Sequence, residues 1–198
     1  MGGQLASPLN PKHNGRLDNW GEFRIGDLFS VDTWIYGKNK QYETKFKEFV
    51  EGSTPIISGI TINNGVNYYT RDPLGKSEVF KDSLTISTRG EYSGTVTYHE
   101  GEFGLANNIL VMHMPGWNKQ QKLYFATLVN NLNYGGYFGY PRKETLKNDC
   151  VFLPLDSKGD IDFAFMQTLI KAIEKLVIKD LVVWNEKKLR ATKEVIDS

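Results

Sequence analysis

The 198-residue sequence predicts an α+β fold, a mainly β domain followed by one long C-terminal α-helix. Two observations carry that expectation. Between Trp20 and Leu155 the chain runs in short stretches rich in β-branched and aromatic residues, each cut by turn residues. After the polar turn Ser157-Lys158-Gly159-Asp160 the apolar spacing becomes helical and holds to near Ile196. The expected division is a leader over 1–19, a β domain over 20–157 and a helix over 158–198.

The opening MGGQLASPLNPKHNGRLDNW has no apolar core segment, so it is not a signal peptide, and its Gly, Pro and Asn content reads as a loose leader. RIGDLF (Arg24 to Phe29) predicts a helix of one or two turns. PIISGI (Pro55 to Ile60) and VNYYT (Val66 to Thr70) flank Asn63-Asn64-Gly65, and Asn-Gly is a strong hairpin signal because both residues tolerate positive φ. LTIST (Leu84 to Thr88) and GTVTYH (Gly94 to His99) are separated by a loop that begins Arg89-Gly90. ILVMHM (Ile109 to Met114) ends at the turn dipeptide Pro115-Gly116. KQQKLYFATLVNNL (Lys119 to Leu132) has near-helical apolar spacing, and CVFLP (Cys150 to Pro154) is the last expected strand.

In the C-terminal segment Asp160 or Asp162 can cap the helix start. Met166, Leu169, Ile170, Ile173, Leu176, Val177, Leu181, Trp184 and Leu189 then form one apolar stripe, with lysines opposite. Unbroken, roughly 35 residues would reach about 50 Å. The β-branched run Leu181-Val182-Val183-Trp184 is where a bend would fall. No second helix of similar length is predicted to cover the stripe.

The formal net charge of +1 excludes bulk attraction to nucleic acid or to a membrane surface, so any such binding must come from local clusters. The single cysteine, Cys150, excludes an internal disulfide and reads as a small hydrophobe in the core. No window of about 18 apolar residues exists, so no membrane partner is expected and the cytoplasm is the expected location.

Signals for catalysis are near misses. Leu74-Gly75-Lys76-Ser77 ends like a phosphate-binding loop, but Thr70 stands where the first glycine is needed. Gly136 and Gly139 lack the preceding glycine of a dinucleotide fingerprint, because Tyr134 stands there. His13, His99 and His113 have no partner at metal-ligand spacing, and no glycine-flanked serine suggests a hydrolase. Asp32 with Glu43-Thr44-Lys45 only imitates a metal-dependent nuclease core. The expectation is a binding protein with no catalytic residue, cofactor or metal.

Three loops combine the residue types that meet nucleic acid. Asn131 to Lys143 alternates aromatics with glycines and ends in Arg142-Lys143. Glycine permits close approach, aromatics offer flat faces and the cations meet phosphates; Tyr134, Tyr137, Arg142 and Lys143 are the candidates. The same aromatics would also serve as core plugs. Thr88 to Gly94 offers Arg89 and Tyr92, where Arg89 either meets guanine or phosphate or pairs with Glu91 or Glu102. Tyr36 to Tyr42 is basic and amide-rich, with Lys38 and Lys40, a pattern that also suits ordinary solvated surface. Asparagine, as in the Asn131 to Lys143 loop, can read adenine in a major groove, and Asn63 and Asn64 are further DNA-binding candidates.

Taken in order, these pieces resemble a target-recognition domain of the DNA specificity subunit of type I, and of related type IIB, restriction–modification systems. The resemblance spans Trp20 to Ile196. It rests on Trp20-Gly21-Glu22-Phe23-Arg24-Ile25-Gly26-Asp27-Leu28-Phe29, on Thr54-Pro55-Ile56-Ile57-Ser58 with Asn63-Asn64-Gly65-Val66, and on Ile86-Ser87-Thr88-Arg89-Gly90 with Gly94. The closing piece is Leu146-Lys147-Asn148-Asp149 through Leu153-Pro154, then Asp162 and Phe165-Met166.

The resemblance implies a non-catalytic subunit that reads double-stranded DNA. It also implies docking to DNA methyltransferase (modification) subunits and, in type I systems, to restriction/motor subunits. Such subunits carry two recognition domains and two antiparallel spacer helices, whereas this sequence offers one of each. A second copy of the chain would supply the missing helix, with Met166, Leu169, Ile170, Ile173, Leu176, Val177, Leu181 and Trp184 as the dimerisation stripe. Three other readings stay open: a fragment whose missing half normally covers the stripe, a helix folded back on its own domain, and an interaction module or decoy that binds methyltransferase subunits without reading DNA.

Overall fold

The computed structural model describes residues 19–28, 34–36, 42–106, 108–132, 134–135 and 139–196. The elements are β1 (Trp20–Arg24), α1 (Ile25–Leu28), β2 (Trp34–Tyr36), β3 (Thr54–Ile57), β4 (Val66–Thr70), β5 (Phe80–Ser87), β6 (Val96–Leu105), β7 (Ile109–Met112), α2 (Lys119–Asn130), α3 (Lys143–Asn148), β8 (Cys150–Pro154) and α4 (Phe163–Ile196). A mixed six-stranded sheet in the order β2-β7-β5-β6-β3-β4 is joined by a two-stranded β1-β8 ribbon. All strand pairs are antiparallel except β3 with β6. The domain is therefore α+β with a long C-terminal helix, as the change of apolar period predicts.

Strand β5 organises the core. Residues 83–87 are all buried, and their alternation sends them to opposite faces. Leu84 and Ile86 join Leu110, Met112, Phe125 and Val129 of the larger core, which α2 covers. Ser83, Thr85 and Ser87 alternate with them. On that opposite face Thr85 Oγ1 meets His99 Nε2 at 2.8 Å, and the His99 ring lies 5.0 Å from that of Phe103. Phe103 belongs to a second, smaller core with Ile57, Leu105, Ile109 and Val111. Both faces of this strand are thus covered.

Two strands are longer than their apolar runs suggest. β5 begins at Phe80 and β6 continues to Leu105, across a bulge where Asp82 takes φ +46°. The polar Lys81-Asp82 and Glu100-Gly101-Glu102 disguise this continuation. Asp82 accepts from Gly101 N at 2.8 Å through its carboxylate and from Lys122 Nζ at 2.7 Å through its carbonyl. The latter bond fixes α2 to the bulge, and burial pushes the Lys122 ammonium pKa down.

The expected hairpin between β3 and β4 is present, with a longer connection than Asn-Gly alone implies. Asn63, Asn64 and Gly65 all take positive φ (49°, 51° and 79°), and Ser58 N donates to Gly65 O at 2.9 Å. The left-handed geometry that asparagine and glycine tolerate is used to close a loop over residues 58–65.

Cys150 is exposed rather than a core residue. It opens β8 opposite Arg24, and the strand sends Val151 and Leu153 inward instead.

Helix α4 runs 34 residues as one helix, continuous through Leu181 to Trp184. Asp162 caps it, accepting from Phe165 N at 2.8 Å. Its first turns belong to the domain: Met166 and Ile170 are buried in the larger core, and the Phe163 ring packs edge-on against Trp117 at 4.9 Å. Two residues of the predicted dimerisation stripe are thus already covered by their own chain. Beyond them Ile173, Leu176, Val177, Leu181 and Trp184 are exposed, Leu176 by 62% and Trp184 by 58%.

Candidate nucleic-acid interface

The end of β5, the start of β7 and the start of α3 meet at one edge of the domain. Ser87 pairs with Ile109, and one residue further Thr88 N donates to Asn108 O at 2.9 Å. Arg89 follows directly in the exposed turn, where Gly90 (φ +87°) and Gly94 (φ +91°) set the reversal. Arg142 precedes α3 in an extended conformation, its carbonyl accepting from Leu146 N at 2.9 Å. Buried Leu146 fixes this short helix to the core.

The outcome is a cleft of about 990 Å³ whose lining includes Arg89, Asn108, Tyr140, Arg142, Lys143 and Glu144. It unites cations from two of the three loops singled out in the sequence. Among the described residues Arg89 forms no ion pair, so the alternative pairing with Glu91 or Glu102 is not found. Arg89 and Arg142 are exposed. This suits guanidinium groups that meet phosphate or base edges on arrival of a polyanion.

A second loop cluster lies beside the cleft. Ser58, Gly65, Thr85, Ser87, Tyr92 and Thr97 surround a small cavity of about 10 Å³, bringing the Asn63-Asn64 loop to the Tyr92 loop. A Cβ on Gly59 would stand 2.6 Å from Ser87 Oγ, so that close approach requires glycine. Asn63 and Tyr92 are exposed, and Asn64 donates its amide to Tyr98 O at 3.2 Å. Asn64 is therefore partly committed to holding its loop.

Tyr134 is placed differently. Its side chain packs against the larger core, its Cβ and backbone lie against Gly94, and its hydroxyl donates to Asp149, whose carboxyl pKa burial pushes up. Here the core-plug reading of the aromatic loop fits. Lys38, Lys40 and Tyr137 lie outside the described residues.

The sequence reading missed Asn108 and Glu144. Its available signal for Asn108 was the pair Asn107-Asn108 between two strand-like runs, a turn marker with free amides. Among the described residues no group of three His, Cys, Asp or Glu side chains is placed to hold a metal ion, and no helix is long and apolar enough to cross a membrane.

The comparisons that cover most of the chain point to one family. The chain is 19% identical over 166 residues to the specificity subunit S.BcgI of a type II restriction enzyme from Heyndrickxia coagulans, covering 81% of this chain and 45% of that protein. Its fold matches the S subunit of a type I restriction–modification system from M. genitalium with a TM-score of 0.55 at 14% identity, over 84% of this chain and 43% of the other. The HsdS subunit of Thermoanaerobacter tengcongensis matches with a TM-score of 0.53 at 15% identity, over 86% and 41%. Shorter matches, 28% identical over 108 residues, link 48% of the chain to 26% of a chloroplastic fructose-1,6-bisphosphatase from rice. The chain spans less than half the length of each of these relatives. The model of the type I restriction modification DNA specificity domain matches residues 17–182, most of the sequence, and the protein therefore belongs to that family.

Proposed function

We propose that this chain reads double-stranded DNA as a specificity subunit, or half-subunit, and directs methyltransferase and endonuclease subunits to a split target. The observation that carries the reading is the convergence of Arg89 with Arg142 and Lys143 in one cleft, from loops more than 50 residues apart in sequence. Asn63, Asn64 and Tyr92 would extend the contact surface from the neighbouring loops. Residues 20–157 form the reading unit and 158–198 the spacer and dimerisation helix. The subunit carries no chemistry of its own and works in the cytoplasm, as a partner of enzymes that modify or cut DNA.

The exposed part of α4 supports a second copy as a partner. Among its exposed residues Leu169, Leu176 and Val183 recur at seven-residue spacing, and Ile173, Val177, Leu181 and Trp184 follow one another at steps of three or four. That spacing suits a left-handed helix–helix seam. Two chains joined there by a two-fold axis would present two clefts to a palindromic target with a gap. The net charge of +1 fits a chain that shares phosphate contacts with a methyltransferase subunit.

Methylome sequencing of cells that co-express the chain with a methyltransferase subunit it binds tests this. The expected outcome is a new interrupted palindrome. No new methylated motif from an assembled complex would overturn the DNA-reading role.

A further inference from the structure

We infer that Asn108 reads an adenine through the major groove, between arginines that grip the backbone. The inference deepens the proposed function and rests on it.

Asn108 lines the same cleft as Arg89, Arg142 and Lys143. Its side chain is exposed, and its amide has no hydrogen-bond partner among the described residues. The neighbouring asparagines differ. Asn64 donates to Tyr98 O, Asn130 to Val96 O and Asn148 to Glu144 O. Among the described residues nothing engages the donor or the acceptor of Asn108, which lie side by side. That pair matches the N6 amino group and N7 of adenine.

The backbone at Asn108 is held as a short reading residue requires. Its carbonyl accepts from Thr88 N, and the next residue, Ile109, is 2% exposed and paired with Ser87 on the central strand. An asparagine has a short reach, so it reads a base only from a rigid, closely approaching element. The longer Arg89, Arg142 and Lys143 side chains around it suit phosphates. Asn108 also takes φ +62°, a conformation open to asparagine, aspartate and glycine. A purely conformational role would therefore be met equally by glycine.

Asn108→Gly separates the two roles, because it keeps the left-handed backbone and removes the amide. Duplexes selected by the wild-type chain from a random library, in complex with its methyltransferase subunit, are substituted one base pair at a time and titrated against both proteins. The wild type is expected to lose about 5- to 150-fold in affinity at one particular A·T pair. Asn108→Gly is expected to be indifferent at that pair alone, with an unchanged salt dependence. Full discrimination by Asn108→Gly at every position overturns the inference and leaves the DNA-reading role standing. Absence of any discrimination by the wild type overturns both.

Discussion

The Thr88 main-chain N–H donates to the Asn108 carbonyl across 2.9 Å, and this one bond ties the Arg89 turn to the start of β7. It extends the ladder of β5 and β7 by one step past Ser87 and Ile109. Arg89 thereby leaves the sheet from a fixed point and faces Arg142, which buried Leu146 fixes from the other side. Fixed elements thus carry both cations, and among the described residues neither guanidinium forms an ion pair.

The first prediction concerns those cations. Arg89→Ala and Arg142→Ala should each weaken DNA binding. A residue that contacts phosphate should also lower the slope of log affinity against log salt by about 1. Arg142 makes no side-chain cap to α3, so its loss should leave the fold intact. Titrations at several salt concentrations, with thermal melts as the folding control, check both statements.

Gly94 and Gly90 should behave differently although both take positive φ. A Cβ at Gly94 would collide with the Tyr134 side chain, whereas nothing lies within 4 Å of one at Gly90. Gly90→Ala should cost about 1 kcal/mol of backbone strain, and Gly94→Ala about 2–4 kcal/mol. Denaturant melts of the two variants give the comparison. Equal losses would mean that the Tyr134 contact does not stabilise the fold.

Stability should fall in mild acid because of His99. Burial lowers its pKa to about 4, against an ordinary value near 6.5. The folded state thus binds fewer protons than the unfolded chain between these values, so unfolding is favoured as pH falls through them. The full effect, once pH is below about 4, is about 3 kcal/mol. Above about pH 6.5 this group contributes no pH dependence. His99→Gln should flatten the curve between pH 6.5 and 4, as measured by urea melts across that range, whatever its effect at neutral pH.

The exposed seam of α4 makes a prediction about assembly. Light scattering should show the wild-type chain associating with rising concentration. Leu176→Glu with Val183→Glu should leave a monomer with little change in melting of the β domain. Both residues lie beyond the turns that Met166 and Ile170 fix to the core. A wild-type chain that stays monomeric at all concentrations would remove the second copy from the proposal.

The sequence was most informative where one periodicity ruled. β4, β8 and most of α2 coincide with their apolar runs, and α4 emerges from the change of period after Gly159. It was least informative where polar residues carry a strand through a bulge, as at Asp82, because the bulge satisfies them locally. Cys150 misled for a related reason. A short apolar run gives no sign of which alternate residues face inward when the strand pairs with only one neighbour. In the candidate site, residue type distinguished Arg89, Arg142 and Lys143, but only tertiary packing could bring them together or reveal Asn108 between them. The same packing takes Tyr134 out of that group, since an aromatic amid glycines suits a core as well as a ligand.

The most direct measurement is selection of a random duplex library by the complex of this chain with its methyltransferase subunit. The wild-type chain is run beside an Arg89→Ala, Arg142→Ala variant. The account predicts that the wild-type selection converges on an interrupted motif and that the variant complex, still assembled, fails to converge. Convergence of both on the same motif with equal affinity would contradict it, because the bases would then be read somewhere other than this cleft.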